Sequence, residues 1–74
     1  MKELIKLQDI IYDNLNAVVH KDTPLKFLNL KLIEFIQLHL DIYEVFKVNI
    51  KTKELNQKNT IQDIVNIIKE KQCH

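Results

Sequence analysis

An all-α fold is predicted by three observations. The 74 residues include no glycine and one proline; glycine supplies the positive φ of tight hairpins, so its absence argues against a turn-rich β architecture. Through three long stretches the apolar residues recur at spacings of three and four, the period of an amphipathic helix. The composition, 46% hydrophobic and 28% charged, is that of a globular protein rather than a disordered, collagen-like or disulfide-built one. A chain of this length holds one core, so residues 1–74 are read as a single domain.

The first helix is expected from Lys2 to about Leu15, with Leu4, Leu7, Ile11 and Leu15 on one stripe and Lys6, Gln8, Asp9 and Asp13 between them. Asn16 to Asn29 reads as a long loop with a helical kink. In it Thr23 can cap a short turn, Pro24 can take its first position, and Leu25, Phe27 and Leu28 plug inward. A second helix follows from about Leu30 or Lys31 to Phe46, capped by Asn29. At 100° per residue Phe35, Leu38, Ile42, Val45 and Phe46 share one arc. Leu32, Ile33, Ile36, Leu40 and Tyr43 carry apolar surface much further round, leaving Glu34, Gln37, Asp41 and Glu44 as the polar face. So wide an apolar surface belongs to a helix that either sits centrally among its neighbours or offers its second arc to an outside partner.

Lys47-Val48-Asn49-Ile50 alternates and reads as an extended connector, and Thr52-Lys53-Glu54-Leu55 begins one short helical turn. Thr60-Ile61-Gln62-Asp63 has the spacing of a capping box. The last helix then turns Ile61, Ile64, Val65 and Ile68 inward and places Lys69 and Lys71 near its negative end. The expected architecture is a small four-helix bundle, three longer helices plus one short helix.

Several function classes are disfavoured. Net charge is only +1, and Lys47, Lys51, Lys53 and Lys58 cluster without a single arginine, the commonest reader of guanine. The lysines therefore read as a solvated connector, and no nucleic acid is expected as a partner. No apolar run approaches the roughly 20 residues that span a bilayer, and the start Met1-Lys2-Glu3-Leu4-Ile5-Lys6 lacks a signal-peptide core. Cys73, the only cysteine, has no internal partner. A soluble, cytoplasmic protein with no membrane partner is the expectation. His20, His39, Cys73 and His74 fit no zinc spacing, and His39, between the two arcs, reads as a partly buried structural histidine. No nucleophile, base and orienting group converge, so an enzyme is not expected.

The segment Leu28-Asn29-Leu30-Lys31-Leu32-Ile33, the run Ile42-Tyr43-Glu44-Val45-Phe46-Lys47-Val48-Asn49-Ile50, and Asn59-Thr60-Ile61-Gln62-Asp63-Ile64-Val65 together resemble the acyl carrier protein family. That family shows Leu-Gly-x-Asp-Ser-Leu at its attachment site and ends its second helix in Glu-Glu-x-Phe-x-Ile-x-Ile. The resemblance covers nearly the whole chain and implies a bundle of acyl-carrier-protein type. It also implies where this chain departs from its family. The carrier serine takes a phosphopantetheine arm, whereas Leu32 stands in its place, Lys31 replaces the preceding Asp, and the chain has no serine at all. The implied function is a non-loadable pseudo-carrier, without cofactor, that binds a synthase, a ligase or another carrier protein, or associates with itself. The matching outward positions Leu32, Ile36, Leu40 and Tyr43 form the expected partner-binding line, able to bury a few hundred Å² at roughly 25 cal/mol per Å². The bland alternative packs this line under Leu25, Phe27 and Leu28. Two other functions stand beside it: a true acyl or peptidyl carrier represented by a variant lacking its serine, and a small helical regulatory or nucleic-acid-binding domain.

Overall fold

The computed structural model describes residues 2–55 and 57–72. Cys73 and His74, which bear on the thiol and metal readings, lie outside them. The chain is all-helical: α1 (Lys2–Leu15), α2 (Leu32–Phe46) and α3 (Ile61–Gln72), with 3-10 turns at Leu25–Leu28 and Thr52–Glu54. No strand forms among the described residues. The short fourth helix expected at Thr52 is a three-residue 3-10 turn, too brief to present a face for packing.

Three chain reversals need positive φ, and without glycine they fall to Asn16 (φ 55°), Asn29 (φ 50°) and Lys47 (φ 59°). Each ends a helical segment. The Asn16 amide donates to the Tyr12 carbonyl at 2.7 Å, Asn29 to Lys26 at 3.2 Å, and Lys47 to Tyr43 at 2.8 Å. These bonds satisfy carbonyls that a helix end leaves open. Asparagine tolerates this conformation better than other residues with a Cβ, because its short amide side chain bonds locally. Asn29 is thereby used to close the first 3-10 turn and does not cap α2, which begins at Leu32, one or two residues later than expected. Lys31 is the residue before α2, and its amide donates to Glu34 Oε1 at 2.8 Å. Lysine has no side-chain acceptor to return the bond, so only one half of a capping box forms there.

The start of α3 is far better satisfied. Asp63 N–H donates to Thr60 Oγ1 at 3.2 Å and Thr60 N–H to Asp63 Oδ2 at 3.0 Å, completing the expected box. The next amides bond to the long loop, Ile61 to the Thr23 carbonyl at 2.9 Å and Gln62 to Lys21 at 2.8 Å. In return Leu25 N–H donates to Asn59 at 2.9 Å and Lys26 N–H to Gln57 at 3.0 Å. Pro24 and Thr60 therefore face each other in an isolated antiparallel bridge. The ladder bonds come from the residues on either side, so the missing proline N–H costs nothing. Thr23 caps a different turn from the one expected: its hydroxyl accepts the His20 amide at 3.0 Å, while Pro24 precedes the 3-10 turn rather than opening it.

The core is apolar throughout, with no buried polar residue among those described. Leu7, Ile10 and Ile11 of α1, Leu38, Ile42 and Phe46 of α2, and Ile61, Ile64, Val65 and Ile68 of α3 fill it. Leu25, Val48, Ile50 and Leu55 join from the connectors, while Leu4, Leu15, Leu28 and Phe35 pack at its edge. Burying each large side chain contributes about 1.5–3 kcal/mol before the entropy of ordering it is subtracted. The close helix pairings are α1 with α2 and α1 with α3. α1 is therefore the helix that packs closely against both others, and the more apolar α2 has α1 as its close helical neighbour. Two residues expected to point inward do not: Val45 is exposed on α2, and Phe27 is 73% exposed on the loop.

Candidate functional site

α2 presents two apolar faces separated by polar seams. Its buried face, Leu38, Ile42 and Phe46, is one residue wide at each turn and is taken up by the core. About a third of a turn round the helix, Leu32 is 76% exposed, Ile36 52%, Leu40 53% and Tyr43 53%, with Ile33 beside them at 74%. The line Leu32, Ile36, Leu40, Tyr43 thus forms one continuous outward stripe, and the loop does not cover it: Leu25 is sunk in the core and Phe27 turns to solvent. The covered alternative fails because the loop is tied by its backbone to the start of α3, away from this stripe.

One seam is structural. Gln37 Nε2 donates to Asp41 Oδ1 at 3.0 Å, and Asn14 of α1 donates both to Asp41 Oδ2 and, at 2.9 Å, to the Ile10 carbonyl. This network fastens α2 to α1, so Gln37 and Asp41 are not simply the solvated face expected of them. The other flank opens into a recess of about 230 Å³ lined by Leu32, Phe35, Ile36, His39 and Leu55. His39 is half-buried here, and its Nδ1 is buried with no hydrogen-bond partner. An orphaned buried nitrogen of this kind is uncommon in folded proteins.

Comparison with known proteins yields no match: no family model, no curated protein and no solved structure is similar to this chain. The site must be read from its own chemistry. Among the described residues no group of three His, Cys, Asp or Glu side chains is placed to hold a metal ion, and no helix is long and apolar enough to cross a membrane. Lys47, Lys51, Lys53 and Lys58 all lie at the surface along the connector, and Lys53 lies within the 3-10 turn rather than on a recognition helix. Leu32 and Lys31 stand at the very start of α2, both exposed. The stripe is therefore the feature that asks for a function. Its residues were legible as a wheel pattern. The recess was not, since Leu55 arrives from the connector and no periodicity links it to α2.

Proposed function

We propose that this chain is a non-loadable carrier-like domain that acts by docking protein on the outward stripe of α2. The partner is a synthase, a ligase or another carrier, and the chain does no chemistry of its own. The observation that carries the reading is the stripe itself: four large apolar side chains, each more than half exposed, on one helix of a small protein. Contiguous apolar patches of several hundred Å² mark interaction sites on soluble proteins. The carrier part rests on the sequence resemblance and is supported by the order of elements, a long helix, a long loop, a second helix, a short turn and a last helix. Leu32 opens α2, where a carrier would hold its serine, and a leucine offers no oxygen for a phosphate ester.

Loading tests the carrier part. With coenzyme A and a broad-specificity phosphopantetheinyl transferase, the intact mass of the chain is expected to stay unchanged, and Lys31→Asp with Leu32→Ser is expected to gain one phosphopantetheine. Modification of the unaltered chain would refute the proposal. A folded double variant that stays unmodified would remove the carrier part and leave only the docking surface.

A further inference from the structure

The stripe of α2 matches a second copy of itself in area and in shape. We propose that two chains pair through α2 about a two-fold axis, with the helices antiparallel and Tyr43 of each seated in the recess of the other. This rests on reading the stripe as a docking face and names what docks there.

Leu32, Ile33, Ile36, Leu40 and Tyr43 together expose on the order of 500 Å² of side chain, so pairing two stripes buries up to about 1,000 Å², near the lower bound for a specific interface. The rims add to that. Two copies also meet without strong repulsion, since each carries a net charge of only +1.

The shape argument is more specific. At about 100° per residue Leu32, Tyr43 and Ile36 fall within roughly 40° of one another, and Leu40 a further 40° on. The recess therefore lies on the same side of the stripe as Tyr43, about 11 Å nearer the start of the helix. An antiparallel two-fold axis keeps that side in common and reverses the direction. It brings the knob of one chain over the hollow of the other, twice, with Leu40 meeting its own copy near the axis. A parallel axis would send the tyrosine to the opposite flank, against the Gln37 and Asp41 seam. In the antiparallel register Glu44 falls opposite Gln37 of the other copy, so no two carboxylates are opposed. The recess is lined by Leu32, Phe35, Ile36 and Leu55 together with His39, an apolar setting that suits the ring of a tyrosine.

The test is sedimentation velocity on the full chain from about 1 µM to about 500 µM, with a monomer–dimer midpoint expected at roughly 10–100 µM for an interface of this size. Leu40→Glu places two like charges beside the axis and is expected to weaken pairing at least about a hundredfold, with its circular dichroism melt unchanged. Tyr43→Ala, which removes the knob without adding charge, is expected to weaken it about tenfold. In a Cys73→Ser background, oxidation of Leu40→Cys is expected to give a covalent dimer. Ile36→Cys is expected to cross-link only when mixed with Tyr43→Cys. Self-linking of Ile36→Cys would overturn the antiparallel arrangement. A chain monomeric throughout, yet capturing a biosynthetic enzyme in a Leu40-dependent way, would overturn self-pairing alone. Loss of both behaviours would overturn the docking face with it.

Discussion

α2 and α3 are built from similar residues and put them to different use. α3, with 12 residues, buries Ile61, Ile64, Val65 and Ile68 completely. α2, with 15, buries only Leu38, Ile42 and Phe46, although its mean hydropathy is the higher of the two. Their starts differ in the same direction. The first amides of α3 are bonded by Thr60, Asp63 and two loop carbonyls, whereas α2 begins at a lysine whose amide donates a single unreturned bond to Glu34. α3 is thus the helix the fold is anchored to. α2 carries more apolar surface than its own core can use, and the surplus faces out in one stripe. Hydrophobic content alone does not mark the structural centre; the partition of that content between two faces does.

The largest effect expected is within α2, between its two faces. Phe46 is 6% exposed and packed in the core, so Phe46→Ala is expected to cost about 3–5 kcal/mol, enough to unfold a marginal small domain. Ile36→Ala, on the outward stripe, is expected to change stability by less than about 0.5 kcal/mol. Chemical denaturation of the two variants checks both. Equal losses would mean that the outward stripe is packed after all, and the contrast between the faces would collapse.

The helix starts supply a smaller, sharper contrast. Thr60→Ala removes the hydroxyl that accepts the Asp63 amide and is expected to cost about 1 kcal/mol. Lys31→Ala removes a side chain that makes no cap hydrogen bond and is expected to be neutral within about 0.3 kcal/mol. Thermal melts of both variants decide the point, and a larger loss at Lys31 would show that the start of α2 is held by something other than its backbone.

What was readable in the sequence follows the range of the forces involved. The bounds of α1, the capping box at Thr60 and the buried face of α3 were legible because spacing and short-range side-chain bonds specify them. The start of α2 was misjudged because Asn29 serves the preceding turn, and only the φ imposed by the loop decides which neighbour an asparagine caps. Phe27 and Val45 were misplaced because a wheel gives an angle and says nothing of what lies opposite. The stripe of Leu32, Ile36, Leu40 and Tyr43 was legible as a pattern, but its exposure depends on α1, not α2, being the helix that packs closely against both others. The tie between the Thr23 and Lys21 carbonyls and the start of α3 is backbone on backbone and leaves no trace in side-chain identity.

The smallest effect expected concerns Glu54, which links the second connector to α3. Its Oε1 accepts the Lys51 amide at 3.0 Å, and its Oε2 lies 3.3 Å from Lys71 Nζ. The Lys51 amide, and then the Lys71 ammonium, hold its carboxyl below the ordinary glutamate value against the opposing effect of partial burial. The folded state therefore favours the ionised form. That contribution is fully present above the ordinary glutamate range and is lost as pH falls through that range and below it. Glu54→Gln is accordingly expected to melt slightly below the unaltered chain at pH 7, with the gap narrowing as the pH falls through and below the ordinary glutamate range. The other carboxylates titrate in both proteins, so the closing of the gap isolates this one. Added salt separates the two partners: it screens the lysine, about a third exposed, but not the amide hydrogen bond. Most of the gap should therefore survive at high ionic strength. A gap abolished by salt would make Lys71 the dominant partner, and one that did not narrow at all on acidification would show that Glu54 acts through packing rather than charge.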